Sequence, residues 1–234
     1  MAGWQWEIRS PLAVGLGMNK KPIVGTLPLL LGLLAIIGAS SFLLFARREP
    51  KIELGPYQSL GMVTAEETLK LIGDKDQIVV ATQDSREFEM PALVAQLKAF
   101  EATVRKKGKV RVDVEKITMD AMAMMAAGGR MPSGEFFRIL QKHPKAGAVV
   151  LFLGFPMMSD QDFDALKQRV PKLIVVASYR GDYQQLLQRR LIDLVIVPRS
   201  DSPPETARKP QTLREWFDQE YVIIRPEQAS ALPR

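Results

Sequence analysis

The sequence predicts an α/β protein: a single N-terminal transmembrane helix followed by one mostly parallel, doubly wound sheet domain of five or six strands. Three observations predict it. Residues 23–46 run twenty-four positions without a charge, flanked by Lys20 and Lys21 before and by Arg47 and Arg48 after. Beyond residue 64, short β-branched apolar runs alternate with segments of helical periodicity, the signature of βαβ units. Those runs are apolar almost throughout rather than alternating, as strands covered on both faces are.

The charge-free stretch comes first. As a helix it would extend roughly 36 Å, more than the ~30 Å hydrocarbon core, so it spans with room to tilt. It has no polar face to offer water. Its apolar part is longer than the ~7–15 residues of a signal-peptide core, so an uncleaved anchor is expected. The division that follows is an arm over 1–22, a span over 23–46, a linker over 47–63 and the α/β domain over 64–234. The arm carries Trp4 and Trp6, residues suited to a membrane interface or a partner. In the span, Gly32, Ala35 and Ala39 are small positions that permit close helix approach. The span contains no ionisable side chain, so its expected work is anchoring or packing.

After a connector containing Pro50, Gly55 and Pro56, Thr64 and Glu67 have the spacing of a capping box that opens a short helix closed by Gly73. Gln77 to Thr82 reads as the first strand. Met90, Leu93, Val94, Leu97, Phe100 and Val104 then recur at helical spacing. Val110 to Ile117 reads as a second strand, and 119–127 and 133–141 as two short helices broken by Gly128, Gly129 and Pro132. Ala146 to Gly154 is a third strand. Ser159 caps a helix with Phe163, Leu166 and Val170 facing inward. Leu173 to Ser178 is the fourth strand, and Tyr183, Leu186, Leu187 and Leu191 make the next helical face. Ile192 to Pro198 is the fifth strand. A second capping box at Thr212 and Glu215 opens a helix with Trp216 and Phe217, and Tyr221 to Pro226 adds an edge strand.

Composition bounds the function. The chain carries a formal +6 and no cysteine, and residues 51–234 hold 27 basic against 24 acidic side chains. There is no basic stripe with interleaved aromatics, so nucleic acid is not an expected partner. Disulfides and thiolate metal sites are excluded. The loop at Thr82 lacks the glycines a dinucleotide needs, and Gly128-Gly129-Arg130 lacks the Lys-Ser/Thr sequel of a phosphate loop. Asp160, Asp162 and Asp164 open like a calcium loop, but Ala165 and Pro171 stand at its sixth and twelfth positions. They read instead as an acidic first helical turn. His143 is the only histidine and reads as solvated in a polar turn. No catalytic set, cofactor or metal site is expected.

Open α/β sheets bind ligands beyond the carboxyl ends of their strands. Arg86, Tyr179, Arg180 and Arg199 fall there and are candidates to hold an anion or other small ligand. The methionines Met119, Met122, Met124, Met125, Met131, Met157 and Met158 suit a core or an adaptable contact surface, and Met122 and Met125 are the candidates for partner contact.

In Leu186 to Arg199 a helix ending in basic residues leads into Ile192-Asp193-Leu194-Val195-Ile196. In Thr212 to Glu227 an aromatic-bearing helix precedes a strand ending at Pro226. These stretches resemble one α/β lobe of type 1 periplasmic sugar-binding proteins. The resemblance implies a domain on the export side of the inner membrane, with ligand binding at the strand ends. The length accommodates one lobe, not the two that close a cleft. Two readings follow. One is a non-catalytic accessory subunit anchored in the lipid bilayer beside other membrane-protein subunits. The other is a membrane-tethered ligand-binding or sensor domain.

Overall fold

The chain divides after Lys51, and the computed structural model describes residues of the second unit, Ile52–Arg234. These are 52–84, 90–107, 109–118, 122, 130–167, 171–177, 183–200 and 208–231. The expected arm and span, with Trp4, Trp6, Gly32, Ala35 and Ala39, lie outside them, as do Arg86, Met125, Tyr179 and Arg180. Among the described residues no helix is long and apolar enough to cross a membrane.

The elements run α1 (Gly55–Ile72), β1 (Gln77–Gln83), α2 (Pro91–Lys107), β2 (Arg111–Ile117), α3 (Ser133–Lys142) and β3 (Ala148–Leu151). Then come α4 (Asp160–Leu166), β4 (Lys172–Val176), α5 (Gln184–Gln188), β5 (Leu194–Pro198), α6 (Leu213–Glu220), β6 (Tyr221–Ile224) and a 3-10 turn at Pro226–Ala231. The six strands form one sheet in the order β2-β1-β3-β4-β5-β6. β1 to β5 are parallel, and β6 closes one edge antiparallel to β5.

The continuous apolar runs become the central strands: every residue of β3 is buried, as are Ile78 to Thr82 of β1 and Leu194 to Val197 of β5. Alternation along β1 feeds two cores. Val79 and Ala81 join Phe136 and Ile139 of α3, Leu166 of α4 and Leu187 of α5. Ile78 and Val80 join Leu60 and Val63 of α1, Phe100 and Val104 of α2 and Phe217 of α6. The domain is therefore three layers, with α1, α2 and α6 on one face and α3, α4 and α5 on the other.

Helix α1 departs from the sequence reading. It starts at Gly55, so residues 55–63, expected as linker, are helical, and Ser59, Leu60, Gly61 and Val63 are buried. Pro56 is compatible with this because the first helical turn needs no N–H partner. Thr64 is not a cap: its hydroxyl donates back to the Leu60 carbonyl at 2.6 Å. Glu67 faces Lys70 and Arg225. α1 crosses α2 at Gly61, where an added Cβ would lie 2.0 Å from the Gln96 carbonyl oxygen. Only glycine permits that approach.

His143 also differs from expectation. Its side chain is 11% exposed and lies between Gln77 and the acidic residues of the edge strand β2. The reason is that Asp113 and Glu115 of β2 and Gln77 of β1 leave a polar patch at the end of α3, which the imidazole completes.

Candidate functional site

In a sheet of order 2-1-3-4-5, successive connections leave β1 on opposite sides, and the carboxyl ends of the strands frame a crevice. The protein builds a cavity at that edge, on the α3–α5 layer. β3 ends at Leu151, and the chain turns through Gly154, whose φ of +74° suits glycine. The following loop is pinned to the approach of α3 by a bridge between Pro132 and Met157, with the Met157 N–H donating to the Met131 carbonyl at 3.1 Å. Ser159 then starts α4 with a reciprocal capping box to Asp162. One turn on, Phe163 lies parallel to Phe155, ring centroids 6.4 Å apart and planes 9° apart. Beyond β4, buried Tyr183 leads into α5, which brings Gln185 and Leu186 to the same hollow.

The cavity measures about 250 Å³, near the lower end of small-ligand sites. Its apolar wall is Phe155, Pro156, Met157, Met158, Phe163 and Leu186. Its polar side chains are Arg130 and Gln185. Among the described residues Arg130 has no hydrogen-bond or ion-pair partner. The neighbouring carboxylates are turned elsewhere. Asp162 accepts from the Ser159 N–H at 2.9 Å and its hydroxyl at 3.0 Å, contacts that hold its pKa below the usual value. Asp164 accepts from Lys167 at 2.6 Å. The three alternating aspartates thus begin a helix, as their spacing suggested. The cavity is left with a net positive, donor-rich character.

Arg199 alone of the strand-end candidates is described. It is exposed at the end of β5, and its Nε donates to the Asp218 carbonyl at 2.8 Å while its N–H donates to the Glu220 carbonyl at 2.8 Å. Its guanidinium serves the end of α6, where a cation suits the helix dipole. The methionines separate: Met131 is fully buried, Met157 is 41% exposed at the cavity, and Met122 is 80% exposed. The sequence reading missed Arg130, Phe155, Phe163 and Gln185 as a group. The third strand, read as ending at Gly154, was the one signal that led towards the cavity.

Two other features compete with this cavity. A groove of about 540 Å³ on the opposite layer is lined by Leu54, Val94, Ala95 and Leu213, with Gln58 and Lys98 its long polar side chains. The second is the ionic cluster on β2. There the Glu115 carboxylate accepts from Lys142 at 2.7 Å and meets His143 Nε2 at 2.8 Å, while Gln77 donates to Asp113 at 2.7 Å. Burial would raise the Glu115 pKa, but Lys142 and His143 hold it below its ordinary value. Its charges satisfy one another. Among the described residues no group of three or more acidic or histidine side chains is placed to hold a metal ion.

No protein-family model matches this sequence, and no curated protein sequence does. Solved structures do. AraP, an arabinose binding protein from Geobacillus stearothermophilus, aligns with a TM-score of 0.51 at 15% identity over 76% of this chain and 63% of its own. A solute binding protein of an ABC transporter from Burkholderia graminis, in complex with D-arabinose, gives 0.51 at 11% identity over 76% and 62%. A candidate LacI transcriptional regulator from Bacteroides fragilis gives 0.50 at 10% identity over 76% and 62%. The chain thus spans about three-fifths of the length of these proteins, which are binding proteins and a regulator. In fold, it resembles the type 1 periplasmic sugar-binding proteins and LacI regulator domains.

Proposed function

We propose that the protein is a non-catalytic ligand-binding or sensor module, a binding-protein-like domain tethered to the inner membrane by residues 23–46 and held on its periplasmic side. The observation that carries the reading is the cavity at the carboxyl edge, where Arg130, without a partner among the described residues, meets an aromatic wall. Its position agrees with the edge at which open α/β sheets take ligands. The test is thermal unfolding of the detergent-solubilised full chain against a broad panel of sugars, carboxylates and phosphates. A ligand-dependent rise in Tm supports the reading, and a flat response across the panel overturns it. Protease accessibility in spheroplasts tests the orientation: cleavage of the domain from outside supports the periplasmic placement.

The accessory-subunit reading rests on Trp4, Trp6 and the small residues of the span, together with the exposed side chain of Met122. Native mass analysis of a mild detergent extract separates the two. A stable larger particle with defined partners favours the subunit, and a lone chain favours the sensor.

A further inference from the structure

The cavity's side chains define what they can bind. Arg130 presents five N–H donors and no acceptor, and Gln185 offers one carbonyl and one amino group. The remaining wall is two phenylalanines, two methionines, a proline and a leucine. A neutral sugar brings hydroxyls that each donate and accept around its whole rim. On this lining only Arg130 and Gln185 offer side-chain partners, so the sugar's other hydroxyls depend on backbone groups or retained water. A ligand that brings acceptors at one end and an apolar body at the other matches the division between Arg130 and the aromatic side chains more closely. The guanidinium fork matches a carboxylate in bidentate fashion. The aromatic wall and the pliable thioethers of Met157 and Met158 suit a flat or short apolar body.

We infer that the cavity takes an organic monocarboxylate with a small aromatic or aliphatic body, its carboxylate on Arg130 and its body against Phe155, Phe163 and Leu186. This rests on the proposed ligand-binding reading and narrows it to a class different from the sugar of the arabinose-binding structures.

The experiment is calorimetric titration of the full chain in detergent with phenylacetate, its neutral counterpart 2-phenylethanol, acetate, inorganic phosphate and D-arabinose. Phenylacetate is expected to bind at least tenfold more tightly than each of the others. Arg130→Gln is expected to lose at least tenfold in phenylacetate affinity with its Tm unchanged, and the same detergent controls for partition into micelles. Leu186→Ala should weaken phenylacetate several-fold while leaving phosphate unaffected. Binding of D-arabinose without phenylacetate overturns the ligand class and leaves the ligand-binding reading standing. Equal binding of phosphate and phenylacetate reduces the site to a bare anion contact and overturns the inference, as does phenylacetate affinity unchanged in Arg130→Gln.

Discussion

The two helical layers of this domain use the same sheet differently. On one face, α1 and α2 are long, meet backbone to backbone at Gly61, and are tied together by ion pairs. Glu66 joins Lys107 of α2 and Arg214 of α6, and Glu67 joins Lys70 and Arg225. On the other face α4 and α5 have seven and five residues, and Arg130 has no partner among the described residues. One layer holds the little-exposed carboxylates of Glu66 and Glu67 in ion pairs. The other leaves a charge and an aromatic wall turned towards a hollow. The proposed function places the sheet's stability and its capacity to bind on opposite faces, so variants should separate them.

The largest effect should come from Gly61→Val. The added atoms meet the Gln96 backbone, which cannot yield without moving α2, so overpacking should cost about 3 kcal/mol or more. For a domain of this size that lowers Tm by roughly 6–12 °C, read by thermal unfolding. Gly134→Ala, in open space on α3, is the control on the other layer and should be neutral or stabilise by up to ~1 kcal/mol.

Glu67→Gln comes next. Its carboxylate is 6% exposed, while Lys70 and Arg225 are 67% and 41% exposed, so the loss should be about 2 kcal/mol, below the ~3–5 of a fully buried pair. Burial alone would raise the Glu67 pKa, but Lys70 and Arg225 outweigh it and hold the pKa below the ordinary value. A carboxyl depressed in the folded state stabilises above its unfolded pKa and loses that contribution as pH falls through the folded one. Wild-type stability should therefore drop below about pH 4, and the drop should be shallower in Glu67→Gln.

Thr82→Val should act in the opposite direction. Among the described residues the Thr82 hydroxyl, buried near the end of β1, has no partner, and a methyl of the same shape removes that penalty, giving a gain of about 1 kcal/mol in denaturant unfolding. Arg199→Ala is the smallest: an exposed side chain on a helix-end carbonyl should cost under ~1 kcal/mol.

Much of the fold was legible because central strands buried on both faces must be apolar throughout, as Val149, Val150, Ile174, Val175, Val195 and Ile196 are. The βα alternation and the caps at Ser159 and Thr212 are local signals and read correctly. The start of α1 did not read, because Gly55 and Pro56 look like a connector until Leu60 and Val63 have a sheet to cover. Nor did the partners of Glu66 and Glu67, which lie 148 and 158 positions away at Arg214 and Arg225. The candidate site was the least legible. Its walls come from the ends of three strand connections, and Arg130 has no local pattern that marks it as unpaired.

The most direct measurement compares thermal unfolding of wild type and Arg130→Gln, each with and without millimolar phenylacetate. A division of labour between the layers predicts equal Tm values for the two proteins without ligand, and a rise on addition for wild type alone. A variant that melts several degrees lower without ligand, or a rise that survives the substitution, would contradict it.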